Sequence, residues 1–304
     1  MQTKDTSLLE ETHRQQADIA NNYLADFQPR MMDWNAAKIF AVKNLRIAIR
    51  YPTNVLIWGL LPILWLAPYL LMMTAVAGPG TSEYFAEVSG FDDFLKFAVI
   101  GWFIFKYIDA SIWAIGNNFR WEQFSGTLEP LFVTPVPRIS ILLGAAFSDT
   151  VQTTLSAFIL LFTAMALFGV TYTFVAIGPI ILIMLLMIIS FYGFGFMLAG
   201  MILVFKDPSV LTELINNAVF TVSPITYPLQ VLPAPARFAA YLIPSTIAIV
   251  VVRELAITGT YDLFQFLQSV GFMCVIIVFF WTLGIAVFNY GEKWTKNRGS
   301  MGGF

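Results

Sequence analysis

Charged side chains are scarce in this 304-residue chain, where Asp, Glu, Lys and Arg together make up 12%, about half the share usual in soluble domains. So few charges cannot solvate a water-exposed surface, which excludes an ordinary soluble globule. Cysteine occurs once, as Cys274, and histidine once, as His13. One cysteine excludes an internal disulfide framework and a cysteine zinc site, and one histidine removes most metal-ligand and acid-base chemistry. No G-x-x-x-x-G-K-[ST] loop is present to cradle nucleotide phosphates, and no H-E-x-x-H helix or G-x-S-x-G elbow. Nor is there a basic excess to attract nucleic acid, since 17 Lys and Arg oppose 19 Asp and Glu, for a net charge of -2.

What the chain has in abundance is apolar surface. Hydrophobic residues make up 58%, with 29 Phe, 12 Met and 8 Trp among them, a composition suited to lipid tails or an amphipathic cargo. About 20 apolar residues span the hydrocarbon core of a bilayer. Six runs of about that length stand out: Val55 to Gly78, Leu95 to Ile115, Ile141 to Val170, Phe174 to Val204, Val210 to Leu232 and Phe266 to Phe288. The fifth is a poor simple helix, because Glu213, Asn216, Asn217 and Pro224 interrupt it. Phe238 to Val252 is apolar but broken by Pro244 and too short to cross, so a re-entrant or interfacial segment fits it better.

The few cations fix an orientation. With the N-terminus inside, thirteen of the seventeen Lys and Arg fall on the cytoplasmic side, whereas residues 79–94 carry Glu83, Glu87, Asp92 and Asp93 and no cation. The expectation is an all-α membrane protein of six spans with both termini cytoplasmic, in the plasma membrane of a bacterial or archaeal cell. Residues 1–33 are polar, lack the apolar stretch of a secretory signal and read as a partly disordered cytoplasmic tail. Residues 34–50 read as an amphipathic interface helix, 51–290 as the six-span domain and 291–304 as a cytoplasmic C-terminal tail.

Three features beyond the spans point to function. From Trp34 to Arg50, helical periodicity gathers Trp34, Ala37, Ala41, Leu45 and Ala48 on one side and Lys43, Arg46 and Arg50 on another, with cations either positioned for lipid phosphates or serving only to orient the first span. The loop 116–140 is too elaborate for a connector. Ser125, Gly126 and Thr127 start a short helix, Glu129 sits in its first turn where the dipole favours an anion, and Pro135 and Pro137 stop it. Leu128, Leu131 and Phe132 are left on its surface, either as a plug for a partner's groove or as part of an ordinary folded loop. Inside the second span, Lys106 and Asp109 lie three apart, hence on one helical face. Asp109 and Asp149 each lie roughly 12 Å deep at about 1.5 Å per residue, so Lys106, Asp109 and Asp149 are expected to form one buried cluster, serving either as a structural pair gluing helices or as a polar contact for cargo.

Trp121 to Arg138, WEQFSGTLEPLFVTPVPR, resembles the cytoplasmic loop of type-2 ATP-binding-cassette exporter permeases, with its acidic residue, G-T-L-E, short apolar run, T-P and basic residue. Ser223 to Leu255 is similar to that family's P-x-x-x-L-P block and the proline-broken apolar segment that ends in an arginine. RYPTNVLIWGLLP (Arg50 to Pro62) and FNYGEKWTKNRG (Phe288 to Gly299) resemble the start of the first span and the basic cytoplasmic end. The resemblance covers residues 34 to 299.

That resemblance implies a half-transporter: two permease subunits, most simply a homodimer, around a central pathway, with two separate nucleotide-binding ATPase subunits beneath. The G-T-L-E loop would be the coupling helix, with Glu122, Gly126, Thr127, Leu128, Glu129 and Arg138 contacting or orienting the ATPase, and Pro224 and Pro244 would break a pair of re-entrant helices near the outer face. No cofactor is expected on this chain, ATP and Mg belonging to the partner ATPase. The expected activity is outward transport of an amphipathic drug-like or lipid-like substrate, with polysaccharide or lipid-linked glycan export as the alternative and an ATP-independent channel or scramblase as a more distant one.

Overall fold

A computed structural model of the chain describes residues 32–78, 82–124, 126, 134, 136–173, 175–205 and 208–297. All the regular structure among them is helical: α1 (Trp34–Arg50), α2 (Pro52–Ala77), α3 (Glu83–Ser89), α4 (Phe94–Phe124), α5 (Arg138–Phe168), α6 (Ile177–Phe205), α7 (Pro208–Val222), a 3-10 turn (Leu229–Val231), α8 (Ala234–Tyr241), α9 (Pro244–Ile257) and α10 (Leu263–Asn297). Among the described residues, five helices, α2, α4, α5, α6 and α10, are long and apolar enough to cross a membrane, and the count reaches six if α8 and α9, which meet at 88°, make up one span.

The sequence explains where these helices start and stop. Proline occupies the first turn of α2, where its missing N–H leaves no bond unmade. Gly78, at φ 87, and Gly169, at φ 67, end α2 and α5 with left-side dihedrals that a Cβ would strain. Asp33 caps α1, its carboxylate accepting hydrogen bonds from the backbone N–H groups of Asn35 and Ala36. Its own N–H donates to Ser140 Oγ at 2.7 Å, tying the cap to the first turn of α5.

The fifth expected span, Val210 to Leu232, differs from expectation. Its helix, α7, has 15 residues and ends at Val222, which at about 1.5 Å per residue gives roughly 22 Å, short of the hydrocarbon thickness. The chain then breaks through Ser223 to Pro228 into the 3-10 turn. Pro224 lies in that break and Pro244 is the first residue of α9, so both prolines mark interruptions of helix.

Among the described residues, the two largest apolar clusters hold the core of the bundle together. The larger joins α4, α6, α9 and α10 through side chains such as Ile104, Ile108, Met187, Phe191, Ile249 and Met273. The smaller joins α2, α4 and α5 through Leu66, Leu70, Val99 and Leu160. Helices α6 and α10 approach backbone to backbone, because a Cβ on Gly284 would overlap the Gly193 carbonyl oxygen and one on Gly291 the Gly200 carbonyl oxygen. Glycines facing glycines allow backbone-to-backbone van der Waals contact, which drives helix association where lipid removes the hydrophobic incentive. Trp281 Nε1 adds a hydrogen bond to the Ile189 carbonyl across this seam.

Candidate functional site: a polar-aromatic cavity between three helices

Helices α2, α4 and α7 converge on a cavity of about 340 Å³. Each contributes one face at helical spacing. From α2 come Trp58, Leu61, Pro62 and Trp65; from α4, Trp102, Phe105, Lys106 and Asp109; from α7, Asn216, Asn217 and Phe220. Trp102, Phe105 and Phe220 pack edge to face, with centroids 4.8 Å apart for Phe105 and Phe220 and 5.8 Å apart for Trp102 and Phe220, an arrangement that favours the ring quadrupoles. Trp58 and Trp65 are exposed at the mouth.

The polar groups are arranged unevenly. Asp109 accepts a hydrogen bond from Asn216 Nδ2 at 2.9 Å. Lys106 Nζ lies 5.5 Å from the centroid of the Trp58 ring, a cation-π contact. Among the described residues, Lys106 makes no ion pair within 4.0 Å with any carboxylate, Asp109 included; at the start of the same helix, Lys96 pairs with Asp93 at 3.8 Å. Trp102 Nε1 and Asn216 Oδ1 are buried without a hydrogen-bond partner in the protein, and each such group carries its desolvation cost.

Lys106 and Asp109 are therefore brought together on one wall, but Asp149 is not among the residues lining it. Asp149 lies on α5, within electrostatic reach of Tyr192 on α6. Asn216, Asn217 and the two tryptophans of α2 complete the wall instead. Sequence reasoning took the asparagines as interruptions of a span; the i, i+3, i+7 spacing of Trp58, Leu61 and Trp65 was the signal that could have drawn attention to α2.

Around α1, Ala37, Phe40 and Ala41 are buried, with Phe40 against Ile141 and Ala145 of α5. A Cβ on Gly144 would overlap the Ala37 carbonyl oxygen, so α1 lies directly along α5. Trp34 is exposed, and Leu45 and Ala48 are half-buried, so the apolar side anticipated from periodicity is buried only in part. Lys43, Arg46 and Arg50 are exposed, Lys43 with its ammonium 4.5 Å from the Phe40 ring centroid. Of the anticipated coupling residues, Glu122 falls in the last turn of α4, Arg138 is the first residue of α5, and Gly126 is exposed at φ 67. Thr127, Leu128 and Glu129 lie outside the described residues.

The chain break after α7 is held by a residue outside the cavity lining. Arg253 of α9, one of the four Lys and Arg not among the thirteen read as cytoplasmic, is buried, 2% exposed. Its Nε donates to the Phe97 carbonyl at 3.1 Å, and its Nη1 and Nη2 to the carbonyls of Pro224 and Ile225. The guanidinium also lies over the Phe97 ring, 3.5 Å from the centroid. Tyr69 of α2 donates to the next carbonyl, Thr226. The broken segment after α7 thus has three successive carbonyls satisfied by side chains, as backbone in apolar surroundings requires. A Cβ on Gly101 would overlap the Ile225 carbonyl oxygen, so α4 must carry glycine where this segment crosses it.

Residues 38–257 match the family model of the ABC-2 type transporter. The chain belongs to that family. It is a multi-pass membrane protein and an ABC permease component with a role in transport, from a family that normally works with an ATP-binding subunit. The matched span contains α2, α4 and α7, and with them every residue lining the cavity. No curated protein sequence matches the chain closely.

Proposed function

We propose that the chain is the transmembrane subunit of an ATP-driven exporter, which moves an amphipathic drug-like or lipid-like substrate outward across the plasma membrane. ATP and Mg are bound and used by a separate nucleotide-binding ATPase subunit, and two copies of this chain form the permease. Both termini are cytoplasmic. The residues from Glu122 to Arg138, with Gly126, Thr127, Leu128 and Glu129, couple to the ATPase as a rigid element that moves α4 and α5 when the ATPase subunits close. Helix α1 rests at the interface with Lys43, Arg46 and Arg50 toward lipid phosphates. The breaks at Pro224 and Pro244 belong to re-entrant helices that close the pathway from outside.

The observation that carries this reading is the cavity between α2, α4 and α7, which joins exposed Trp58 and Trp65 to charged and amide side chains within an otherwise apolar bundle. Such a mixture matches a molecule with an apolar body and a polar head. Glycan export remains the second reading, because flat aromatic faces beside Asn216 and Asn217 also suit sugars.

The test is co-expression with a candidate nucleotide-binding ATPase subunit from the same organism, followed by co-purification and ATP-dependent uptake into inverted proteoliposomes. The reading expects a stable complex and uptake that needs ATP. Gly126→Pro, which forces φ from 67 to about -65, is expected to uncouple ATP hydrolysis from uptake. Uptake that persists without the ATPase would instead establish a channel or scramblase, and intact coupling in Gly126→Pro would remove the coupling assignment.

A further inference from the structure

We infer that the α2–α4–α7 cavity takes an amphiphile with an anionic head, a phosphate ester or a carboxylate, and that Lys106 is the residue that contacts that head. The inference rests on the transport reading above and narrows its substrate class.

The argument begins with the charges. A charged side chain inside a membrane-spanning segment is costly and persists where it meets a partner or a ligand. Asp109 has its partner in Asn216. Lys106 has three N–H donors and lies over the Trp58 ring face, within electrostatic reach of Asp109 but without an ion pair or hydrogen bond among the described residues. An ammonium on an aromatic ring keeps its charge but leaves its hydrogen bonds unmade, so an oxyanion in the cavity would supply what the protein does not.

The same wall argues against the opposite charge. Several aromatic rings beside a carboxylate would ordinarily form a cage for a quaternary ammonium. Here Lys106 already occupies the Trp58 face, and a cationic ligand would meet like charge on entry. A neutral glycoside would use the rings and Asn216 but leave Lys106 unanswered. The unpartnered Trp102 Nε1 is a second donor on the same wall and the unpartnered Asn216 Oδ1 an acceptor, so a head with anionic oxygens and one hydroxyl satisfies all three. About 340 Å³ accommodates such a head, and an alkyl or aryl body leaves past Trp58 and Trp65 at the mouth.

The experiment uses the purified permease in phosphatidylcholine nanodiscs, without ATPase, and follows tryptophan emission. Four probes are titrated below their micellar concentrations: dodecyl phosphate, dodecyltrimethylammonium, dodecyl maltoside and inorganic phosphate. Dodecyl phosphate is expected to bind at least tenfold more tightly than the other three. Lys106→Gln should weaken its binding at least tenfold, Lys106→Arg should retain it, and Asp109→Asn should strengthen it by removing a nearby negative charge. A purely structural lysine would not produce that last change. Unfolding temperature and elution volume confirm that each variant is folded, and Lys106→Met replaces Lys106→Gln should the latter aggregate. Preference for dodecyltrimethylammonium or dodecyl maltoside, equal affinity for inorganic phosphate, or an unchanged affinity in the folded Lys106 variant would each overturn the inference. Tight dodecyl phosphate binding in nanodiscs with no ATP-driven uptake in the proteoliposome assay would refute the exporter reading alone, whereas ATP-driven uptake indifferent to Lys106→Gln would refute this inference alone.

Discussion

Replacing Arg253 by Met should loosen the break between α7 and the 3-10 turn. The substitution keeps a long apolar stem in a site that is 2% exposed but removes every donor. The Pro224 and Ile225 carbonyls then lose the hydrogen bonds that the guanidinium gives them. An orphaned buried acceptor costs about 1–3 kcal/mol, so two cost about 2–6 kcal/mol, a large share of the roughly 5–15 kcal/mol that holds a typical domain folded. An opposing effect must be weighed, since removing a buried guanidinium also relieves its desolvation, and apolar replacements of buried charges are sometimes neutral or stabilising. In this site the relief is outweighed, because Arg253 makes three charge-assisted hydrogen bonds and stacks on Phe97, and the acceptors it would abandon are backbone groups that cannot move away. Thermal unfolding in nanodiscs, with hydrogen exchange read at residues 223–232, measures the effect. Arg253→Met should be markedly less stable and exchange faster in that segment, with Arg253→Lys intermediate, since an ammonium cannot reproduce the planar fork. A folded Arg253→Met as stable as the parent, with unchanged exchange, would show that desolvation cancels the hydrogen bonds and that the residue is not a latch.

Three further outcomes are expected. Gly284→Ala should separate α6 from α10, because its Cβ would overlap the Gly193 carbonyl; overpacking of this kind costs about 1–3 kcal/mol. Gly178→Ala, with open space around it, should be neutral or stabilising by up to about 1 kcal/mol, and similar unfolding temperatures for the two would refute the close approach. Asp33→Ala should cost about 1 kcal/mol and raise hydrogen exchange at Asn35 and Ala36, the amides it caps; unchanged exchange there would mean another group caps α1. Lys106→Leu should reduce folding yield more than the double change Lys106→Leu with Asp109→Leu, since the single change leaves a carboxylate without its neighbouring cation, and equal yields would show that the two charges do not depend on each other.

The contrast between Lys106 and Arg253 explains which parts of the molecule were legible in the sequence. Spans α2, α4, α5, α6 and α10 were visible because a run of apolar residues carries its own explanation: about 20 of them match the bilayer, whatever they pack against. Lys106 and Asp109 were visible as neighbours because helical spacing alone puts them on one face. The cavity was not, because it needs Asn216 and Asn217 from α7 and Trp58 from α2 to arrive from over a hundred and about fifty residues away, and only tertiary packing brings them.

Asp149 shows the same limit from the other direction. Its depth along α5 matched that of Asp109 along α4, but depth is one coordinate, and the rotation of each helix about its axis is the other. That rotation is set by contacts such as Gly144 on α1 and Leu160 in the cluster with Leu66, and it leaves Asp149 near Tyr192. Arg253 misled for a related reason. Counting cations assigns an arginine to a membrane side on the premise that charge seeks water, and the premise fails where irregular backbone lies buried. A chain that breaks its own helix at Pro224 creates carbonyls that neither helix nor water can satisfy, and an arginine on the following helix is the side chain with enough donors, in a planar fork, to satisfy two of them at once. The proline that interrupts α7 and the arginine on α9 are thus two halves of one device, so a proline-broken apolar segment followed by an arginine should itself be read as a buried latch.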